Sequence, residues 1–103
     1  MKKLRFDAAA RAELLHEIRF YGSTRPGTGT RFQSAVQAVL DRVVQGPATG
    51  KPDEAGCRRM RVKGFPFSLV YREERNEVVV YAVRPDAKDP GYWLQRAVAP
   101  DKT

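Results

Sequence analysis

The sequence predicts an α+β fold, two N-terminal helices packed on a small antiparallel sheet in the order β-α-α-β-β-β. Three observations carry this. Phe32, Ala35, Val36, Val39, Leu40, Val43 and Val44 recur at helical spacing. Phe65, Phe67, Leu69 and Tyr71 alternate with Pro66, Ser68, Val70 and Arg72, and Glu77 to Val83 is a nearly continuous run of Val and Tyr. Two amphipathic helices bury both apolar stripes most simply against one face of a sheet.

The elements follow in order. Leu4-Arg5-Phe6 alternates and ends at Asp7, a good N-cap for a helix from Ala8 to about Tyr21. That helix is rich in Ala, Leu and Glu and sets Leu14, Leu15, Ile18 and Tyr21 on one stripe. Glycine and proline between Gly22 and Gly27 break it. The second helix starts near Thr28 and runs to about Gln45, stopped by Gly46-Pro47. Ala48 to Gly56, with Gly50, Pro52 and Gly56, reads as a loop. The run Cys57 to Gly64 reads as a strand that sends Met60 and Val62 to the core and Arg59, Arg61 and Lys63 to the opposite face. A one-residue slip would put Arg58 there instead. Glu73 to Asn76 turns the chain between the last two strands. Arg84 to Trp93 is a polar loop ending in two aromatics, Leu94 to Val98 a helical turn, and 99–103 a tail expected to fray.

With 103 residues, the chain suits one domain, taken as 1–98. A hydrophobic fraction of 42% with one Trp, four Tyr and five Phe argues against disorder. The net charge of +7 favours an anionic partner, although charge alone speaks to steering and solubility. A single cysteine, Cys57, excludes an internal disulfide and suits a reducing, cytoplasmic setting. No apolar stretch approaches a membrane span.

Few residues carry chemistry. His16 is alone on the first helix, and one histidine with one cysteine supplies no metal set, so no metal or cofactor is expected. Cys57 reads as an inert residue at a strand start. Glu13 and Glu17 stand four apart and read as the solvated face of the first helix. Pro26 to Gly29 lacks the glycine–lysine pattern of a phosphate loop. Cys57 to Gly64 holds four basic residues and no acid, which is either a solvated sheet face or a surface for an anionic partner. Tyr92 and Trp93 either cap the core or join that surface.

Phe6 with the Ala-rich opening of the first helix, the Arg59-Met60-Arg61-Val62-Lys63 strand, Phe65 to Arg72, Val78 to Val83 and the Asp89-Pro90-Gly91-Tyr92-Trp93 ending come in a recognisable order. From Leu4 to about Trp93 the chain resembles the RelE/ParE superfamily of toxins from bacterial type II toxin–antitoxin modules, on its ParE-like side. The resemblance implies a toxin neutralised by a cognate protein antitoxin, forming a hetero-oligomer with it. Its target would be DNA gyrase, or the ribosome and mRNA if the chain behaves as a RelE-like nuclease. A nuclease must deprotonate the ribose 2′-OH, stabilise the phosphorane and protonate the leaving oxygen. By resemblance that work would fall to Arg59, Arg61, Lys88 (with Arg84 as the alternative) and Tyr92. The family's arginine before the Leu-Val-Tyr run is Ser68 here, and serine cannot hold a bridging phosphate as a guanidinium does. The expected role is therefore non-enzymatic inhibition. Arg59, Arg61, Lys63, Arg84, Lys88, Tyr92 and Trp93 are the expected contacts to target or antitoxin. A nucleic-acid-binding domain without toxicity is the remaining alternative.

Overall fold

A computed structural model describes residues 2–98. Strand β1 (Lys3–Phe6) leads into helix α1 (Ala8–Thr24) and helix α2 (Thr28–Gln45). Then come β2 (Lys51–Pro52), β3 (Arg58–Arg61), β4 (Phe67–Glu73), β5 (Glu77–Pro85) and a short helix α3 (Leu94–Val98), with single 3-10 turns at Pro47–Thr49 and Glu54–Gly56. The five strands form one sheet in the order β1-β5-β4-β3-β2. The expected tail at 99–103 lies outside the described residues.

The helix starts are set by local chemistry. Asp7 caps α1 by accepting the Ala9 N–H at 3.0 Å. The helix passes Gly22, expected to break it, and continues to Thr24. There the Ser23 and Thr24 hydroxyls donate to the carbonyls of Phe20 and Tyr21 at 2.8 and 3.0 Å. Gly27, with φ of 82°, makes the turn into α2. A Cβ on Gly29 would stand 2.7 Å from the Ile18 carbonyl oxygen and 3.1 Å from Gly22 Cα, so the two helices touch backbone to backbone there.

Phe32, Val36, Val39, Leu40 and Val43 of α2 are buried against Met60, Val62, Phe67, Leu69, Tyr71, Val78, Val80 and Val83 of the sheet. Leu14, Ile18 and Tyr21 of α1 pack onto this core, whereas Leu15, expected with them, is 39% exposed. Tyr21, Phe32, Phe65 and Phe67 close the end of the core as an aromatic group with most rings edge to face.

The sheet departs from the expected form in two ways. β1 runs parallel to β5, Lys3 opposite Glu77, a pairing that needs a long crossover, here both helices followed by strands β2, β3 and β4. A two-residue strand, β2, lies in the segment read as a loop. The second face is also covered at its centre. Cys57, Val70, Val79, Tyr81, Ala82, Trp93 and Ala97 form a second buried cluster under the C-terminal segment.

The ladder between β4 and β5 carries a bulge. Val70 pairs with Ala82 and Tyr71 with Val80, leaving Tyr81 as the extra residue. Val78, Val80 and Val83 consequently face the helices, while Val79, Tyr81 and Ala82 face the second layer.

Candidate functional site: a basic groove at the sheet edge

Arg59 and Arg61 alternate with Met60, so the expected phase holds and both arginines leave the helix side of β3. Arg61 lies opposite Ser68 on β4, and Ser68 lies opposite Arg84 on β5, which makes a row of two guanidiniums with a hydroxyl between them. The bulge at Tyr81 puts Arg84 in this row; without it Arg84 would point toward the helices. Together with Arg42 of α2 and Lys51 of β2, these residues line a groove of about 540 Å³ that Met60 also reaches.

The arginines are held by acids from elsewhere in the chain. Arg84 Nη1 stands 3.1 Å and Arg59 Nη1 3.4 Å from Asp53 Oδ2. Arg84 also donates to the Pro90 carbonyl at 3.2 Å, and Arg59 to that of Pro52 at 2.9 Å. Burial alone would raise the Asp53 pKa, but the Glu54 N–H and the two guanidiniums more than offset it and hold the carboxyl below its ordinary value. Arg61 Nη1 stands 3.0 Å from both oxygens of Asp86, and Nη2 donates to the Phe65 carbonyl at 3.2 Å. Arg42 and Lys51 have no ion pair among the described residues. Five cations against the two carboxylates Asp53 and Asp86 leave the groove net positive by three.

The remaining sequence-predicted residues lie elsewhere. Lys63 is in the turn after β3, exposed and outside the groove. Lys88 and Tyr92 line a second cleft, of about 350 Å³, with Glu13, His16 and Glu17 of α1. Lys88 Nζ sits 4.3 Å from the Tyr92 ring centroid. The Tyr92 hydroxyl donates to Glu13 Oε2 at 2.8 Å, and burial followed by that carboxylate drives its pKa far above the ordinary phenol value. Trp93 is fully buried and its indole N–H donates to the Pro90 carbonyl at 2.6 Å, so it secures the segment rather than a surface. Arg59 and Arg61 on one side, and Lys88 and Tyr92 on the other, do not converge on a single cleft.

Glu13 has a role that the sequence did not signal. β1 ends at Phe6, so beyond Val80 the outer edge of β5 has no strand beside it. Glu13 Oε1 accepts the Val83 N–H at 3.0 Å and Arg96 Nη1 at 3.1 Å, and Oε2 accepts Arg96 Nη2 at 2.9 Å. Arg96 in turn donates to the Tyr81 carbonyl at 3.0 Å. The carboxylate expected on a solvated face thus ties α1, the β5 edge and α3 together. No group of His, Cys, Asp and Glu among the described residues could hold a metal ion. Cys57 is buried, which pushes its thiol up to about 11 and leaves it unreactive at neutral pH. No helix among the described residues is long and apolar enough to cross a membrane.

These features define a class: a small helix-hairpin domain on a mixed sheet, with a cationic groove at the sheet edge. Residues 4–90 match the model of the ParE toxin of the type II toxin–antitoxin system parDE, and the chain belongs to that family. It is thus the toxin component of such a system, and membership implies an antitoxin partner. Among solved structures, it is similar to a chain from "Chromosomal ParDE TA system from P. aeruginosa". That likeness has a TM-score of 0.63 at 24% identity, covers 82% of this chain and 96% of the other, and concerns the fold. No curated protein sequence gives a significant match.

Proposed function

We propose that this toxin acts in the cytoplasm as a non-enzymatic inhibitor of DNA gyrase, and that its antitoxin neutralises it as a hetero-oligomer by covering the basic groove. Arg59, Arg61 and Arg84 supply the electrostatic contact, with Lys63, Lys88, Tyr92 and the segment secured by Trp93 extending the surface. The observation that carries this reading is the groove itself. Asp53 holds Arg59 and Arg84, Asp86 pairs with Arg61 at the more exposed end, and Ser68 lies between Arg61 and Arg84. Preorganised cations speed the encounter with an anionic partner and fix its orientation. A nuclease would instead need a proton donor and acceptor at one phosphodiester. The residues of that alternative, Arg59, Arg61, Lys88 and Tyr92, line two clefts, and the Tyr92 hydroxyl is engaged by Glu13.

The test is a gyrase supercoiling assay with purified protein, run beside transcript mapping after expression. Supercoiling should be inhibited, transcripts should stay intact, and Arg61→Ala should weaken inhibition. Normal supercoiling with cleaved transcripts, suppressed by Tyr92→Phe, would overturn the proposal in favour of ribosome-dependent cleavage. Tight binding to DNA or RNA alone, with a steep salt dependence and no inhibition, would overturn it in favour of a nucleic-acid-binding domain.

A further inference from the structure

The α1–α2 hairpin carries charge that its own residues do not balance. From Ile18 to Leu40 there is no acidic residue, and there are three arginines, Arg19, Arg25 and Arg31. None of them belongs to the seven ion pairs found among the described residues. Arg25 and Arg31 line a cleft of about 290 Å³ with Tyr21, Thr24 and Thr28, and no carboxylate lines it. Glu17, the acid that bears on Tyr21, lines the other cleft beside His16 and Lys88. What the hairpin cleft offers a ligand is donors. Arg31 Nη2 donates to Thr28 Oγ1 at 3.2 Å, which leaves the Thr28 hydroxyl hydrogen to point elsewhere. The Thr24 hydroxyl is spent on the Tyr21 carbonyl at 3.0 Å. Burial, then Glu17, raises the Tyr21 phenol, so it keeps its proton at neutral pH. A third cation stands at the same end. The Phe65 ring centroid is 5.0 Å from those of Tyr21 and Phe32, which sets the Val62–Phe65 turn against the hairpin. Exposed Lys63 is in that turn, which Gly64 closes with φ of 85°.

We infer that the hairpin end is a binding surface for duplex DNA, holding its phosphate backbone through Arg25, Arg31 and Lys63. Phosphodiester oxygens are acceptors only, which matches a cleft of donors. An acidic peptide would bring N–H groups as well, and the cleft has no carboxylate to receive them. Residues 22–27 are all exposed, so the turn projects from the domain. The major groove of B-form DNA, about 12 Å wide, admits a helical element of this kind, whereas that of A-form RNA is too deep and narrow. Arg42 follows Arg31 by three helical turns and so shares its flank of α2, about 16 Å away. Phosphates of one strand recur every ~3.4 Å along the duplex axis, so this flank spans about five of them. The duplex therefore meets cations at both ends of α2 without entering the helix–sheet core.

This surface goes beyond the gyrase reading, since the purified chain should show it with no gyrase present. Fluorescence anisotropy follows binding to a short DNA duplex across a salt series, beside an RNA duplex of the same length and polyglutamate. Each phosphate contact contributes about 0.9 to the slope of log affinity against log salt. Arg25→Gln with Arg31→Gln should therefore lower that slope by about 2 at an unchanged melting temperature. Lys3→Gln with Arg75→Gln removes the same charge from the opposite end of the sheet, where Lys3 lies across from Glu77, and should leave the slope as it was. An equal fall in both variants, with net charge alone at work, would overturn the inference. So would an unchanged slope in the hairpin variant, or an RNA duplex or polyglutamate bound as tightly as DNA. Supercoiling inhibited by a chain whose hairpin variant binds DNA as before would overturn the surface and leave the gyrase reading intact. The expected fall in slope without gyrase inhibition would do the reverse.

Discussion

Replacing Glu13 should loosen the C-terminal segment before it unfolds the domain. In Glu13→Ala the Val83 N–H, the Tyr92 hydroxyl and the Arg96 guanidinium lose their shared acceptor together. Breaking a buried charge pair from one side costs about 3–5 kcal/mol. Here Glu13 and Arg96 keep 21% and 20% side-chain exposure, so water partly replaces the lost partner and about 2–3 kcal/mol is expected. For a chain of this length that corresponds to a melting temperature lower by roughly 10–20 °C. Glu13→Gln keeps one acceptor oxygen and should lose about half as much, while Glu17→Gln should change little. Two readouts separate the local event from the global one. Far-ultraviolet circular dichroism reports overall melting, and the emission of Trp93, the single tryptophan, reports its burial beneath the segment. In Glu13→Ala the Trp93 emission should shift red at urea concentrations where the helices remain folded. A melting temperature within about 3 °C of the parent, with Trp93 emission unmoved, would refute the reasoning.

Two further outcomes follow from the charges. Asp53→Asn should cost about 2–3 kcal/mol in urea denaturation, because Arg84 loses its partner in a largely buried position, yet it should raise affinity for anions at the freed groove. Since the folded-state pKa of Asp53 is depressed, its contribution is present above about pH 4 and lost as pH falls; the acid limb of stability should flatten in that variant. At the alkaline end the sign reverses. The Cys57 thiol is raised by burial from 9.0 to about 11, so its contribution is complete below pH 9.0 and lost as pH rises through about 11, and Cys57→Ala should remove this part of the pH dependence.

The parts of the fold set by local pattern were legible in the sequence. The α2 stripe from Phe32 to Val43 and the phase of Met60 against Arg59 and Arg61 follow from periods of 3.6 and 2. β2 was not legible because two residues carry no period, and Pro52 argues against a strand. It is tolerated there because β2 is an edge. Gly22 suggested a break where it serves the close crossing of α1 and α2. In the site, Arg59, Arg61 and Arg84 were singled out, but Arg42 and Lys51 were not, since a cation on a polar helix face or in a loop has no local mark. The acids Asp53 and Asp86 and the clamp by Glu13 depend on segments brought together by folding, so no window of sequence displays them.

The extra residue at Tyr81 acts on β5 as a frameshift acts on a message: everything after it changes sides, and everything before it keeps its place. The half of β5 beside β1 and the half beneath the groove are therefore phased independently. Substitutions in the groove half retune charge without turning the strand over. A deletion between Val80 and Arg84 would be an inversion rather than a perturbation, sending Arg84 toward the aliphatic core and Val83 toward the carboxylates. Changes of length in this architecture thus belong in the Glu74–Asn76 turn or the Asp86–Gly91 loop, and the five residues from Val80 to Arg84 set which face the toxin shows its partners.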